Sequence, residues 1–216
     1  MHRRLSTLAL AALTFGLLAA PARAQFAVQA TTTQVQEDWK LVVAQGDTIK
    51  NGPQIMTYMS SVGDSSAPYA WFLINVRDAP NAYASGGFMV QIWDYSDNLI
   101  TSNTSSHTAA MNTANETVTW TQRMVINPTN SATTWDFINL VSKTWGSIGG
   151  STIPVTYNGS KDFMTYDPNV SASKSRVGWM AGNVTSMTLL TVRQYDNKGK
   201  LLATNNLNLS VNLAPQ

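Results

Sequence analysis

Apolar and polar residues alternate along most of this 216-residue chain. Strict alternation marks a half-buried β-strand, because successive side chains of an extended backbone leave opposite faces. The end of the chain is the clearest case. Leu207, Leu209, Val211 and Leu213 interleave with Asn206, Asn208, Ser210 and Asn212, so one face is apolar and the other carries amides and hydroxyls. A second strand is predicted over 187–195. Asp196-Asn197-Lys198-Gly199 joins the two as a short hairpin loop with a bulge, and the return strand begins at Lys200. The same pattern predicts strands over 37–43, with Trp39, Leu41 and Val43 on one side, and over 54–59. Further strands are expected over 69–77 (Phe72, Ile74 and Val76 on one face), 88–95 (Phe88, Val90 and Ile92) and 117–126 (Val118, Trp120, Met124 and Ile126). Shorter candidates are 99–101, 135–141, 153–157 and 177–180.

No stretch beyond the first two dozen residues shows sustained helical periodicity, and runs of strands without crossover helices disfavour parallel βαβ units. The expectation is an all-β domain, an antiparallel two-sheet sandwich of jelly-roll type. Residues 104–114 are poor in apolar side chains and read as a long loop, and residues 25–36 as a loose leader or an edge strand. Trp39, Trp120 and Trp135 fall in phase with aliphatic neighbours and are assigned to the core. Trp145 and Trp179 flank glycines and read as exposed loop residues.

The opening residues follow a different rule. Met1-His2-Arg3-Arg4 is basic, 5–20 is almost unbroken apolar sequence, and Pro21-Ala22-Arg23-Ala24 supplies an Ala-x-Ala cleavage pattern. The apolar run is short for a membrane span. Residues 1–24 therefore read as a secretory signal, and 25–216 as one domain exported to the periplasm, cell surface or medium. Arg3, Arg4 and Arg23 account for three of the 14 Lys and Arg, which leaves 11 against 12 acidic residues, a net of −1. That balance carries no electrostatic footprint for nucleic acid. With no cysteine, disulfides, thiolate metal sites and cysteine nucleophiles are excluded. A disulfide-free exported domain of this size is ordinary in bacteria. His107 is the one histidine after the leader, so no histidine pair can hold zinc.

Four segments carry a resemblance: Gln36-Glu37-Asp38-Trp39, Val118-Thr119-Trp120-Thr121-Gln122, Thr144-Trp145-Gly146 and Val192-Arg193-Gln194-Tyr195-Asp196. In this order they resemble a group of secreted, uncharacterised bacterial proteins of Planctomycetes type, a likeness that spans nearly the whole exported chain and implies no activity. The closing strand pair is faintly similar to the last strands of concanavalin A-like lectin and glucanase sandwiches. The Glu-x-Asp-x-x-Glu motif of those glucanases is absent, so their chemistry is not implied.

Candidate site residues come from the outward faces of two strands. If Phe72 and Ile74 point inward, Trp71, Asn75 and Arg77 point outward; if Phe88, Val90 and Ile92 point inward, Gln91, Trp93 and Tyr95 point outward. Neighbouring strands would merge these six into one patch. Aromatic rings stack on the apolar faces of sugars, and amides and guanidinium groups reach their hydroxyls. The opposite phase would bury Trp71 and Trp93 and abolish the patch. The leading expectation is thus an exported, non-catalytic binding or structural module, with polysaccharide or another cell-envelope component as its partner. Two alternatives stand beside it. One is a glycoside hydrolase using two of Glu37, Glu116 and Asp94, which needs carboxyls on both sides of a sugar bond; Glu37 and Asp38 read instead as an exposed strand start, and Glu116 as a loop end. The other is a self-associating envelope protein whose Thr-rich and Asn-rich strands pair at their edges. Asp94-Tyr95-Ser96-Asp97-Asn98 has the alternating oxygens of a loose calcium loop but lacks the glycine and distal glutamate of an EF-hand, and no cofactor is assigned. For the leader, mass spectrometry of the exported protein should give a chain beginning at Gln25; a product that retains residues 1–24 would contradict the signal assignment.

Overall fold

The fold is taken from a computed structural model that describes residues 26–44, 53–63, 67–74, 77–78, 82–83, 88–105, 113–143, 146–148, 153–159, 162–179 and 181–214. Residues 1–24, expected to be a signal, and Asn75, Val76, His107 and Trp145 lie outside these residues, as do the side chains of Arg77 and Trp179. Among the described residues the chain forms fourteen strands: β1 (Gln34–Val43), β2 (Gln54–Ser60), β3 (Tyr69–Ile74), β4 (Arg77–Asp78), β5 (Ala82–Tyr83), β6 (Phe88–Trp93), β7 (Leu99–Ser105), β8 (Glu116–Ile126), β9 (Ala132–Ser142), β10 (Gly146–Ile148), β11 (Val155–Asn158), β12 (Arg176–Trp179), β13 (Val184–Tyr195) and β14 (Leu201–Ser210). They build two main antiparallel sheets. The larger runs β10-β9-β8-β1-β13-β14, with β11 also paired to β9; the smaller runs β12-β2-β3-β6-β7. This is the antiparallel two-sheet sandwich that alternation predicts. Arg77 lies in a separate two-stranded pairing, β4 with β5, so the predicted strand over 69–77 ends its sheet at Ile74, opposite Phe88.

Parity decides what faces the interior. On β1 the inward residues are Val35, Glu37, Trp39, Leu41 and Val43; on β8 they are Glu116, Val118, Trp120, Gln122, Met124 and Ile126. Trp39 and Trp120 are register partners, and their rings stack at 6.1 Å with 6° between planes. Phe72 and Phe88 of the smaller sheet meet Phe137 of β9 edge-on at 5.0 and 6.0 Å, which joins the sheets on the β9 side. Burying such rings dominates the energetics of a core this size. Trp39, Trp120 and Trp135 are all buried, as their phase predicts.

Between β11 and β12 the chain makes a short helix, α1 (Pro168–Lys174). Alternation gives no sign of it, but local chemistry does. Asp167 caps its N-terminus by accepting from Asn169 N at 2.9 Å, Pro168 supplies the first helical position, and Lys174 closes the last turn. α1 packs against β2, β13 and β14, on the side of the sandwich away from β9. β12 pairs with β2 only as far as Met56. Beyond that point Ser175 Oγ accepts from Tyr58 N at 2.9 Å and donates to Ser171 O at 2.7 Å, so one hydroxyl ties the end of α1 to the open flank of β2. The predicted hairpin over 196–199 is present. Asp196 Oδ1 accepts from Lys198 N and Lys200 N, each at 2.9 Å, and Gly199 takes the left-handed φ of 75° that the bulge requires.

Candidate functional site

The outer face of the smaller sheet can be read row by row. One row across β2, β3, β6 and β7 is Tyr58, Trp71, Gln91 and Ser102; the next along is Ser60, Tyr69, Trp93 and Leu99. On the other side of the Trp71 row, Arg176 of β12 aligns with Met56, Leu73 and Met89. Leu73 and Met89 are buried, with Met56 and Trp71 packed against them, so this outer face carries an apolar floor of its own. Tyr69 meets Trp71 edge-on at 6.2 Å and Tyr58 at 5.1 Å, and Tyr58 meets Trp71 at 5.5 Å. Trp71 and Trp93 remain half-buried. They bound an open cleft of about 410 Å³, whose other walls are Met56, Tyr69, Gln91, Asp97 and Arg176.

Polar groups line this cleft at defined points. Trp93 Nε1 donates to Gln91 Oε1 at 3.3 Å, which leaves Gln91 Nε2 without a partner among the described residues. The Tyr69 hydroxyl donates to Asp97 Oδ1 at 2.5 Å; burial, with the adjacent Asp97 carboxylate, pushes its pKa above the ordinary tyrosine value, so it stays protonated as a donor. Two cations stand on ring faces. The Arg176 guanidinium lies 5.1 Å from the Trp71 ring centre and Lys174 Nζ lies 4.8 Å from that of Tyr58.

Of the sequence candidates, Trp71, Gln91 and Trp93 come together on this face, in the predicted phase and on neighbouring strands. Tyr95 does not join them. β6 ends at Trp93, the chain turns at Asp94, and Tyr95 stands exposed in the turn. Asn75 lies outside the described residues, and Arg77 belongs to the separate β4–β5 pairing. Alternation does not single out Tyr69, Met56, Lys174 or Arg176 as site residues, and Asp97 enters the sequence reading only in the calcium-like turn. Tyr69 shares the parity of Trp71 and was legible. Arg176 reaches the face through the pairing of β12 beside β2, which strand prediction alone does not supply.

The three candidate carboxylates are not assembled for hydrolysis. Glu37 faces Gln122 across β1 and β8, whereas Glu116 faces Val43. The two are thus six strand positions apart, about 20 Å at the usual rise per residue, against the ~5–10 Å of paired glycosidase carboxylates. Both are buried, and Glu116 accepts from the Ser142 hydroxyl. Asp94 is a turn staple: its Oδ1 accepts from Ser96 N at 2.8 Å and Asn98 N at 2.9 Å, and these bonds, the Asn98 backbone contact foremost, hold its pKa below the usual value. Those oxygens are spent on the turn that the loose calcium pattern describes. No cluster of three metal-ligating side chains occurs among the described residues.

Glu37 corrects the sequence reading outright. It is fully buried, not the exposed start of a strand. Its Oε2 accepts from Trp39 Nε1 at 3.0 Å and Gln122 Nε2 at 2.5 Å; its Oε1 accepts from the hydroxyls of Tyr166 at 2.5 Å and Ser171 at 2.6 Å. Gln122 continues the chain, accepting from Thr57 Oγ1 at 2.7 Å and donating to Tyr58 O at 3.2 Å. The cluster therefore links both sheets and α1. Burial raises the Glu37 pKa, and the four donors oppose that rise. Oε2 faces N–H groups alone and cannot carry a proton. Oε1 faces two hydroxyls, which can turn and accept from a protonated carboxyl.

Comparison with known proteins adds little to this geometry. No family model and no curated protein sequence matches the chain. One solved structure that overlaps it is the crystal structure of Scytalido-glutamic peptidase with a peptide based transition state analog, over 84% of this chain and 83% of that one, at 7% identity and a TM-score of 0.32. An overlap that loose transfers neither activity nor residue roles.

The Glu37 geometry has a pH consequence. With its folded pKa raised, the unfolded state loses its proton first as pH climbs past the ordinary value of 4.5. Stability then falls until the folded carboxyl also ionises. Asp136, raised chiefly by burial, acts in the same sense above 3.8. Glu37→Gln mimics the protonated form, with its amide nitrogen toward the two hydroxyls. Urea unfolding at pH 4 should place it within about 1 kcal/mol of the native protein, and its stability should decline less between pH 4.5 and 8. Glu37→Ala strands four buried donors and should cost about 3–5 kcal/mol. Equal losses for the two variants at pH 4 would contradict the network.

Proposed function

We propose that this protein is an exported, non-catalytic binding module that holds polysaccharide on the outer face of its smaller sheet. The observation that carries this reading is the convergence of Trp71, Trp93 and Tyr69 on one open cleft in which the amide nitrogen of Gln91 has no partner among the described residues. A sugar ring offers an apolar C–H face to an indole and hydroxyls to an amide, and such a cleft answers both needs. Each aromatic is held in place. Trp71 packs on the Leu73–Met89 floor and against two tyrosines, and Trp93 is tethered through its indole N–H to Gln91. Little side-chain freedom is then lost on binding. The leader over residues 1–24 supports export, which is where envelope and extracellular polysaccharides are met.

A non-catalytic role is favoured over hydrolysis because, among the described residues, the cleft contains one carboxylate, Asp97, and that group accepts the Tyr69 hydroxyl. Glu37 and Glu116, the two glutamates beyond the leader, are sealed in the interior. In a polysaccharide array and affinity electrophoresis, Trp93→Ala should lose about 1–3 kcal/mol of binding, a drop of about 5- to 150-fold, with an unchanged unfolding midpoint. Undiminished retention of the folded variant would remove the aromatic cleft as the ligand site.

A further inference from the structure

We propose that the polysaccharide held in the aromatic cleft is an acidic one, a chain of uronate or similarly anionic sugars whose charged groups are received by Arg176 and Lys174. This rests on the preceding reading of the cleft and names the class of its ligand. Arg176 and Lys174 are exposed and form no ion pair among the described residues. By contrast, Arg123 and Arg193, on the larger sheet, are both partnered, by Asp136 at 2.7 Å and Asp38 at 2.5 Å. Lys40, Lys143, Lys198 and Lys200 likewise form no salt bridge among the described residues; Arg176 and Lys174 are set apart by standing together on the aromatic rings beside the cleft.

Their placement is fixed. Lys174 ends α1 and Arg176 begins β12, on either side of Ser175, whose hydroxyl anchors the segment to β2. Each cation rests on an aromatic face, which holds its stem and leaves its N–H groups directed outward. A guanidinium stacked in this way presents the edge that pairs bidentately with a carboxylate. The one acidic group of the cleft among the described residues, Asp97, accepts the Tyr69 hydroxyl. Arg176 aligns with Leu73 and Asp97 follows Trp93, which aligns with Tyr69. Four residues of strand, about 13 Å, separate those backbone rows, while the cationic groups themselves reach in over Trp71 and Tyr58. With the Asp97 carboxylate already taken by the Tyr69 hydroxyl, Arg176 and Lys174 are the charged groups left to receive an anionic sugar.

The test is calorimetry of the purified protein with polygalacturonate, with the same polymer fully methyl-esterified, and with inorganic polyphosphate, at low and high salt. Polygalacturonate should bind about tenfold or more tightly than its ester at low salt, as charge-assisted hydrogen bonds allow, and the ratio should shrink as salt rises. In the double variant Arg176→Gln with Lys174→Gln the ratio should fall toward one, and Arg176→Lys should restore part of it. Comparable binding of both polymers, abolished by Trp93→Ala, would overturn the acidic class while sustaining the cleft. Binding of neither polymer would overturn both readings. Polyphosphate bound as tightly as polygalacturonate, and independently of Trp93, would show simple polyanion attraction and overturn the proposal.

Discussion

A carboxyl group taken out of water costs several kcal/mol unless polar neighbours replace the solvent, and the interior of this sandwich is organised around one such group. Glu37 stands on the inner face of β1 at the point where both sheets and α1 converge. Its four donors come from β1, β8, the segment before α1 and α1 itself. Each would be left unsatisfied in the interior without it. Hydrophobic packing on either side is non-directional and accepts many near-equivalent arrangements. The carboxyl accepts few, because two N–H groups and two hydroxyls must reach it together.

That constraint propagates to the surface. Ser171 donates to Glu37 and, through its carbonyl, accepts from Ser175; Ser175 in turn accepts from the backbone of Tyr58. Residues 171–176 are thereby set against β2, and with them the two cations that stand over Tyr58 and Trp71. The buried cluster and the aromatic cleft lie on opposite faces of the smaller sheet, with β2 as their shared element: Thr57 points inward to Gln122, Met56 outward to the cleft, and Tyr58 outward against Tyr69 and Trp71. The interior polar cluster thus positions the rim of the proposed site without touching its ligand.

Much of this was legible from parity. Phe72, Ile74, Val90 and Ile92 were placed inward and Trp71, Gln91 and Trp93 outward because a pleated strand admits no other arrangement once one face is chosen. The same rule applied strictly would have buried Glu37, two positions before Trp39, and Glu116 and Gln122, in phase with Trp120. The charge of the two glutamates argued instead for a strand start and a loop end, because satisfaction of a buried polar group depends on contacts far apart in sequence, here up to 134 residues between Glu37 and Ser171. α1 escaped notice because seven residues are too few for a periodicity, although Asp167-Pro168 announced its start. Arg176 and Lys174 could not be assigned to the cleft because their approach depends on β12 pairing beside β2, a long-range register that alternation does not encode.

Hydrogen exchange of the indole N–H protons, followed by nuclear magnetic resonance, tests most directly whether a sealed carboxyl cluster holds the sandwich together. The Trp39 Nε1–H, bonded to Glu37 and shut from water, should exchange only when the whole domain opens, with the same free energy as the slowest core amides. The half-exposed Trp93 Nε1–H should exchange orders of magnitude faster. A Trp39 proton that exchanges as readily as that of Trp93 would contradict the account.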